Sequence, residues 1–405
     1  MKSKCFRMHG RYGIAFLILA LVAGCTEDLF SPEIDLFWEE EDHRNDAWVH
    51  ASSAQIDASL IHLAARATAI VPAGSSIQDA VDAAQPGAVI LVEPGTYAEA
   101  VTIDKANISL MGKGGPGAQA AVIIENPGGA ANGITVTAEG DGVRLADFTV
   151  RGFSRNGVFM SGVDGFHLIR LVAEDNGDYG LFPTRSSNGV MIHCRASGHA
   201  DAGLYIGQST DVRLLHNVVH ENVIGIEASN SSDIEVSHNL AENNTIGILS
   251  VLLPPSAFRT VLTASEMLIS QNTVRNNNLP NFAEQGSLPS FVPAGSGILV
   301  VGVDRTVVEK NDVSGNEWVG IGLGSTSTFG MLAGIPDVGL PDPDAEGVTI
   351  RKNRLSNNGS NPPPPPFPLP GVDLLWDGTG TDNCWENNEY ETSFPSALPA
   401  CRLVQ

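Results

Sequence analysis

From residue 88 onward the apolar residues come in short bursts rather than in helical stripes. Ala88 to Val92 is continuously apolar, and Val101 to Ile103 and Ile108 to Leu110 are short strand-like pieces. From residue 133 a glycine followed by an apolar-x-apolar strand recurs at Gly133, Gly157, Gly180, Gly203, Gly225 and Gly247, at intervals of 24, 23, 23, 22 and 22 residues. The series resumes at Gly297 and Gly320 and reaches Gly371. A second strand keeps step with the first, with Val190, Val212 and Ile234 each 22 residues apart. Period-2 strands inside a repeat of about 22 residues are short strands separated by turns, one coil per repeat. Asn217, Asn239, Asn272, Asn311 and Asn353 each follow the second strand. Asparagine tolerates the left-handed backbone of a sharp corner, and stacked amides bond along a ladder. A leucine-rich repeat or a β-sandwich supplies no such corner. The pattern predicts an all-β solenoid, a parallel β-helix, over residues 71–390.

Upstream, Gly74 to Ser76 signals a helix start, and Ile77, Ala80, Val81 and Ala84 share one helical face, ended by Pro86-Gly87. A short amphipathic helix there is expected to plug the open end of the stack, because a bare first coil exposes core and strand edge. The long glycine intervals hold extra loops at about Leu252 to Leu262, Leu279 to Ala294, Ser325 to Ala345 and Ser360 to Pro370, all expected to fold over one side. The last carries Pro362 to Pro366 and must be extended.

The N-terminus changes the picture. Lys2, Lys4, Arg7 and Arg11 precede the apolar run Ile14 to Ala23, too short to span as a mature transmembrane helix. Leu21-Val-Ala-Gly-Cys25 resembles the lipobox of bacterial lipoproteins. That resemblance implies a signal peptide over 1–24, lipidation of Cys25 and, with Thr26 next, an outer-membrane address facing periplasm or cell exterior. Residues 25–70, with Glu39 to Asp42 acidic and Phe37, Trp38 and Trp48 aromatic, are expected to form an acidic tether, helical near Ile56 to Ala67. Residues 391–405 are left as a C-terminal tail, for which export makes a Cys384–Cys401 disulfide plausible.

Formal charge is −23, from 23 basic and 46 acidic residues. Removing the leader makes the balance more acidic still. Such a surface repels nucleic acid, anionic headgroups and polyanionic sugars, unless a cation such as calcium bridges. A sugar polymer remains as partner, with the membrane reached through the lipid alone.

Stacked positions about 4.8 Å apart build ladders. Outward on the glycine-led strand lie Phe159, Phe182, Tyr205, Glu227, Leu249, Leu299, Gly322 and Asp373, and Asp178 and Asp201 stand two residues before their glycines. The aromatic strip Phe159, Phe182, Tyr205 would stack on sugar rings, with Gln208 as a further ligand group. Asp178, Asp201 and Glu227 would share a proton or hold calcium, and His199 would carry protons. The competing interpretation is plain β-surface, with the aromatics covered by loops and the acids solvated. Cys194, His216 and His238, 22 residues apart, form a second ladder, a copper or zinc set on paper; the outer two would stand almost 10 Å apart.

The repeats resemble the exported right-handed β-helix proteins of the pectin-lyase-like superfamily. Residues 179–251 are most similar to an uncharacterised exported group related to the copper-accessory protein of nitrous oxide reductase. Relatives on this fold include pectate lyases, polygalacturonases, and alginate lyases and epimerases. Their motifs are not evident here, and Gly198-His-Ala-Asp201 is only partly similar to the polygalacturonase Gly-His-Gly. The resemblance implies a protein that binds, and in the enzyme case processes, a polysaccharide as lyase, hydrolase or epimerase. The alternatives are a non-enzymatic accessory to a metal or redox enzyme, and a structural or adhesive scaffold.

Overall fold

The computed structural model describes residues 52–402 apart from Pro116, Pro336 and 365–368. The leader, Cys25, most of the expected tether and part of the proline run lie outside the described residues. Among the described residues the strands form three parallel sheets. Sheet 1 has twelve strands and begins with Ala69–Val71; sheet 2 has ten, from Gly95–Ala98; sheet 3 has eleven, from Val101–Ile103. From Val89 to Trp376 the chain visits sheets 1, 2 and 3 in turn and returns one rung further on, giving a right-handed parallel β-helix.

The core is the column of inward side chains. On sheet 3, Val158, Leu181, Leu204, Ile226, Ile248, Ile298, Ile321 and Leu374 stack in register, all about 1% exposed or less. Burial of each such side chain is worth about 1.5–3 kcal/mol. The glycines line up along the same sheet because nothing larger fits. A Cβ on Gly180 would stand 2.4 Å from the Gly203 carbonyl oxygen, and one on Gly225 would stand 2.6 Å from that of Gly247. In the last coil the column continues through Asp373, not Gly371: a Cβ on Gly320 would meet the Asp373 carbonyl. Correspondingly, Leu375 and not Asp373 is the outward partner of Gly322. Asp373 is buried instead, accepting from Asn358 Nδ2 and the Thr392 backbone N–H.

The corners differ from expectation in one respect. The left-handed residue is the one before each asparagine, at His216, His238, Gln271, Lys310 and Lys352, and His193 takes the same conformation before Cys194. The asparagine itself turns inward, where its amide bonds both neighbours. Thus Asn217 donates from N and Nδ2 to Asn239 Oδ1 (2.8 and 3.0 Å) and from Nδ2 to Met191 O (3.0 Å). A second ladder, which the sequence analysis missed, runs along the corner before sheet 3: Asn176, His199, Asn222, Asn244, Asn277, Asn316 and Asn358.

Helix α1 (Ser53–Ala65) lies on sheet 1 with Ile56, Leu60 and Leu63 buried. Arg170 bridges Asp147 on the body (2.6 Å) and Asp57 on α1. Residues 53–70 therefore belong to the body, because an apolar face and a shared guanidinium hold them there; the expected tether ends sooner. Helix α2 (Ile77–Ala83) closes the N-terminal end with Ile77 and Val81 fully buried. Glu99 Oε1 accepts from Ile77 N (2.7 Å), satisfying a donor left free by the first turn.

At the other end Ser393–Phe394 adds a strand to sheet 3, and Cys384 and Cys401 form a disulfide. The tail beyond 390 is thereby part of the stack, since strand pairing and the bridge both reach past it. Closing a loop of 17 residues restrains the unfolded chain by about 3 kcal/mol.

Candidate functional site

Sheet 3 carries the aromatic strip on its outer face. Phe159 and Phe182 pair across neighbouring strands with ring centroids 5.6 Å apart, and Phe182 and Tyr205 approach to 4.4 Å. Tyr179, which the sequence analysis did not single out, completes the cluster at 4.2 Å from Phe182 and 5.1 Å from Tyr205. Phe159 and Phe182 keep part of their faces open to solvent, whereas Tyr205 is buried. Tyr205 hydroxyl accepts from Ser229 Oγ (2.7 Å), which fixes its ring against the strand.

Glu227 is the cross-strand partner of Tyr205 and is only 4% exposed. Burial holds its carboxyl well above the usual range, and the neighbouring Asp201 adds to the effect. Burial pushes Asp201 up to about 7, against a hydrogen bond from the Tyr179 phenol and the attraction of Arg259. Removal of both carboxyls from water, with Asp201 adding its charge against that of Glu227, favours their neutral forms near neutral pH. Asp178, expected to join them, is instead half-exposed and bridged to Arg155 at 2.9 Å. Its counter-ion keeps it in a solvated pair, while its charge still adds to the rise at Asp201.

Arg259 comes from the inserted loop 252–264, which folds over sheet 3. Three left-handed corner residues tie this loop down. Arg185 Nη2 and Gln208 Nε2 both donate to Phe258 O (2.6 and 2.8 Å), and Asn230 Nδ2 donates to Leu253 O and Val261 O. Gln208 Oε1 also accepts from Thr260 N (2.8 Å). The amide of Gln208 is thus occupied as a loop clamp and is not the ligand group expected of it. Its consequence for the site is indirect: the clamp brings a guanidinium to the carboxyl pair.

His199 is also misplaced as a proton carrier. It is fully buried in the second corner ladder, with Nδ1 2.7 Å from Asn222 Oδ1, and burial lowers its pKa to about 4. It takes an asparagine's place in the stack, beside Asp201 in sequence but pointing into the wall. The Cys194, His216, His238 ladder does not form either. The coil there has 23 residues, so His193 stacks on His216 (5.2 Å) and His216 on His238 (4.8 Å). Cys194 occupies the asparagine position, fully buried, with Sγ against Leu168 O at 3.3 Å. Among the described residues no three His, Cys, Asp or Glu side chains are grouped so as to hold a metal ion.

The family model for the right-handed β-helix region matches residues 96–252. No curated protein matches the chain. Solved structures of similar fold include the A-module of mannuronan C-5 epimerase AlgE4 from Azotobacter vinelandii, 16% identical, covering 81% of this chain and 95% of that one with a TM-score of 0.55. The DFA-IIIase of Arthrobacter chlorophenolicus A6 is 14% identical, covering 85% and 83% with a TM-score of 0.52. The periplasmic alginate epimerase AlgG is 15% identical, covering 83% and 89% with a TM-score of 0.50. The architecture is a right-handed parallel β-helix. At these identities the likeness is one of fold, and function has to be argued from the site.

Proposed function

We infer that the protein binds a polysaccharide along the outer face of sheet 3 and processes it at the Asp201–Glu227 pair. The observation that carries this is the abutment of two unlike surfaces. Half-open rings of Phe159 and Phe182 lead to the Asp201 and Glu227 carboxyls, both raised by burial and flanked by Tyr179, Tyr205 and Arg259. Aromatic faces hold sugar rings, and a carboxyl kept protonated near neutral pH can donate to a glycosidic oxygen while its neighbour accepts. The likeness in fold to two epimerases acting on mannuronan or alginate supports a saccharide as the substrate class. Among the described residues no metal ligand set favours the metal-accessory alternative.

Probing a glycan array with the purified protein, with and without calcium, tests the assignment. Retention of at least one glycan is expected, weakened about tenfold or more in a Phe159→Ala, Phe182→Ala double variant. A bare array, or retention indifferent to both rings, would overturn it. Export and lipid attachment at Cys25 belong to the same proposal, supported by the basic, apolar and lipobox-like order of residues 2–25. Radiolabelled palmitate should enter the wild-type protein and not a Cys25→Ala variant; equal labelling of both would remove the anchor.

A further inference from the structure

Sheet 3 does not end at the carboxyl pair. Glu227 is paired directly with Leu249 and Leu249 with Leu299, while Ser229 is paired with Val251 and Val251 with Val301. Going one rung along the same face therefore exchanges a polar floor for a purely aliphatic one. Above this floor the inserted loops enclose a cavity of about 110 Å³, walled by Phe291 and Phe329 among others. Of the side chains lining it only Thr326 is polar, and its hydroxyl already donates to Leu252 O at 2.7 Å. Leu288 and Phe291, which also line the cavity, are 40% and 44% exposed, so it reaches the surface.

A sugar ring has no business in such a place. Each hydroxyl buried there would lose its water partners and find none, at a cost of about 1–3 kcal/mol. An apolar group gains on both counts, since it leaves water and finds close-packed walls. Engineered cavities of about 150 Å³ with similar walls stay dry and take up benzene, so the space here suits a ring or a short acyl group. Strand spacing puts the cavity floor about 5–10 Å from Glu227, within reach of a substituent on a sugar held at the pair. Net charge points the same way, because a chain at −23 disfavours polyuronates and tolerates neutral, decorated sugars.

We propose that this cavity is a subsite for an acyl or aryl substituent, so that the ligand is a saccharide carrying an apolar group. The proposal rests on the saccharide assignment of the adjoining site. The loop 252–264 then serves both halves: its Leu253 and Pro254 line the cavity, and its Arg259 faces the carboxyl pair.

Paired methyl and octyl β-glycosides of glucose, galactose and mannose, below micelle concentration, separate the possibilities in titration calorimetry on the intact protein, with 1-octanol as a tail-only probe. At least one octyl glycoside should bind ten-fold or more tighter than its methyl counterpart. That gain should vanish in Val301→Phe, which fills the cavity, and in Leu288→Asp, which alters only its rim and keeps the test alive if the first variant misfolds. Phe182→Ala should weaken the octyl glycoside and leave 1-octanol unchanged. Octyl and methyl forms of equal affinity, or a gain that survives both cavity variants, would overturn the subsite. So would an octyl glycoside that ignores Phe182→Ala. A chain that retains glycans on the array yet shows no octyl gain loses this inference alone, whereas a bare array removes the saccharide assignment itself.

Discussion

Replacing Asn239 with leucine is expected to cost about 3–5 kcal/mol of stability and to lower the urea midpoint accordingly, although size and shape hardly change. Asn239 Oδ1 receives both the backbone N–H and the Nδ2 of Asn217, at 2.8 and 3.0 Å. Its own Nδ2 donates to Leu214 O (2.9 Å) and Asn272 Oδ1 (3.0 Å). Leucine removes one side of every one of these bonds and leaves the other side buried, and each stranded group costs about 1–3 kcal/mol. The same corner in earlier coils is apolar, at Phe148 and Leu171, without penalty, since there both partners are missing together. The first asparagine to follow, Asn217, already accepts from Cys194 N at 2.8 Å, so the change from apolar to amide corner is itself hydrogen-bonded. Chemical denaturation followed by circular dichroism checks the prediction. A loss under 1 kcal/mol would mean that the ladder contributes register and not stability.

Much of this was legible because a solenoid turns sequence period into spatial contact. Gly157 to Gly320 line up along sheet 3 as their spacing required, and Phe159, Phe182, Tyr205 and Glu227 follow on adjacent rungs. What failed was arithmetic at the one-residue level and everything carried by the insertions. Counting 22 residues back from His216 lands on Cys194, but that coil is one residue longer, and a slip of one moves a side chain from the outside to the inside. His199 differs from expectation for another reason: Asp201, two residues on, faces outward, while the position of His199 lies at a corner and belongs to a buried asparagine ladder. Tyr179 had a signal that went unused, as it stands immediately before a ladder glycine and pairs with Asn156. Arg259 had none. It lies in a loop outside the repeat, and its position depends on the clamps from Arg185, Gln208 and Asn230, which no period encodes.

The larger functional effect is expected at the carboxyl pair, and pH exposes it. Asp201 is raised to about 7 by burial and Glu227 is raised as well, so the folded state binds protons that the unfolded chain has released. The stability they contribute is therefore full below about pH 4, where both states are protonated, and is lost as pH rises through about 7. The loss is on the order of a few kcal/mol. In Asp201→Asn and Glu227→Gln the group can no longer ionise, so each variant should match the wild type at pH 4 and melt at a higher temperature than it at pH 8. Arg259→Ala should act oppositely, steepening the decline, because its guanidinium favours the ionised pair. Both neutral variants should keep the glycan affinity set by Phe159 and Phe182 while losing at least a hundredfold in any turnover of the bound sugar. Melting curves between pH 4 and 8, run beside an end-group assay on a retained glycan, read the two consequences separately. If the amide variants show the wild-type pH slope, the two carboxyls are not raised in the folded state, and if they turn over glycan normally, the chemistry lies elsewhere. Stability that rises on removing a charge, at the spot where function falls, is the mark of a site built against the interests of the fold.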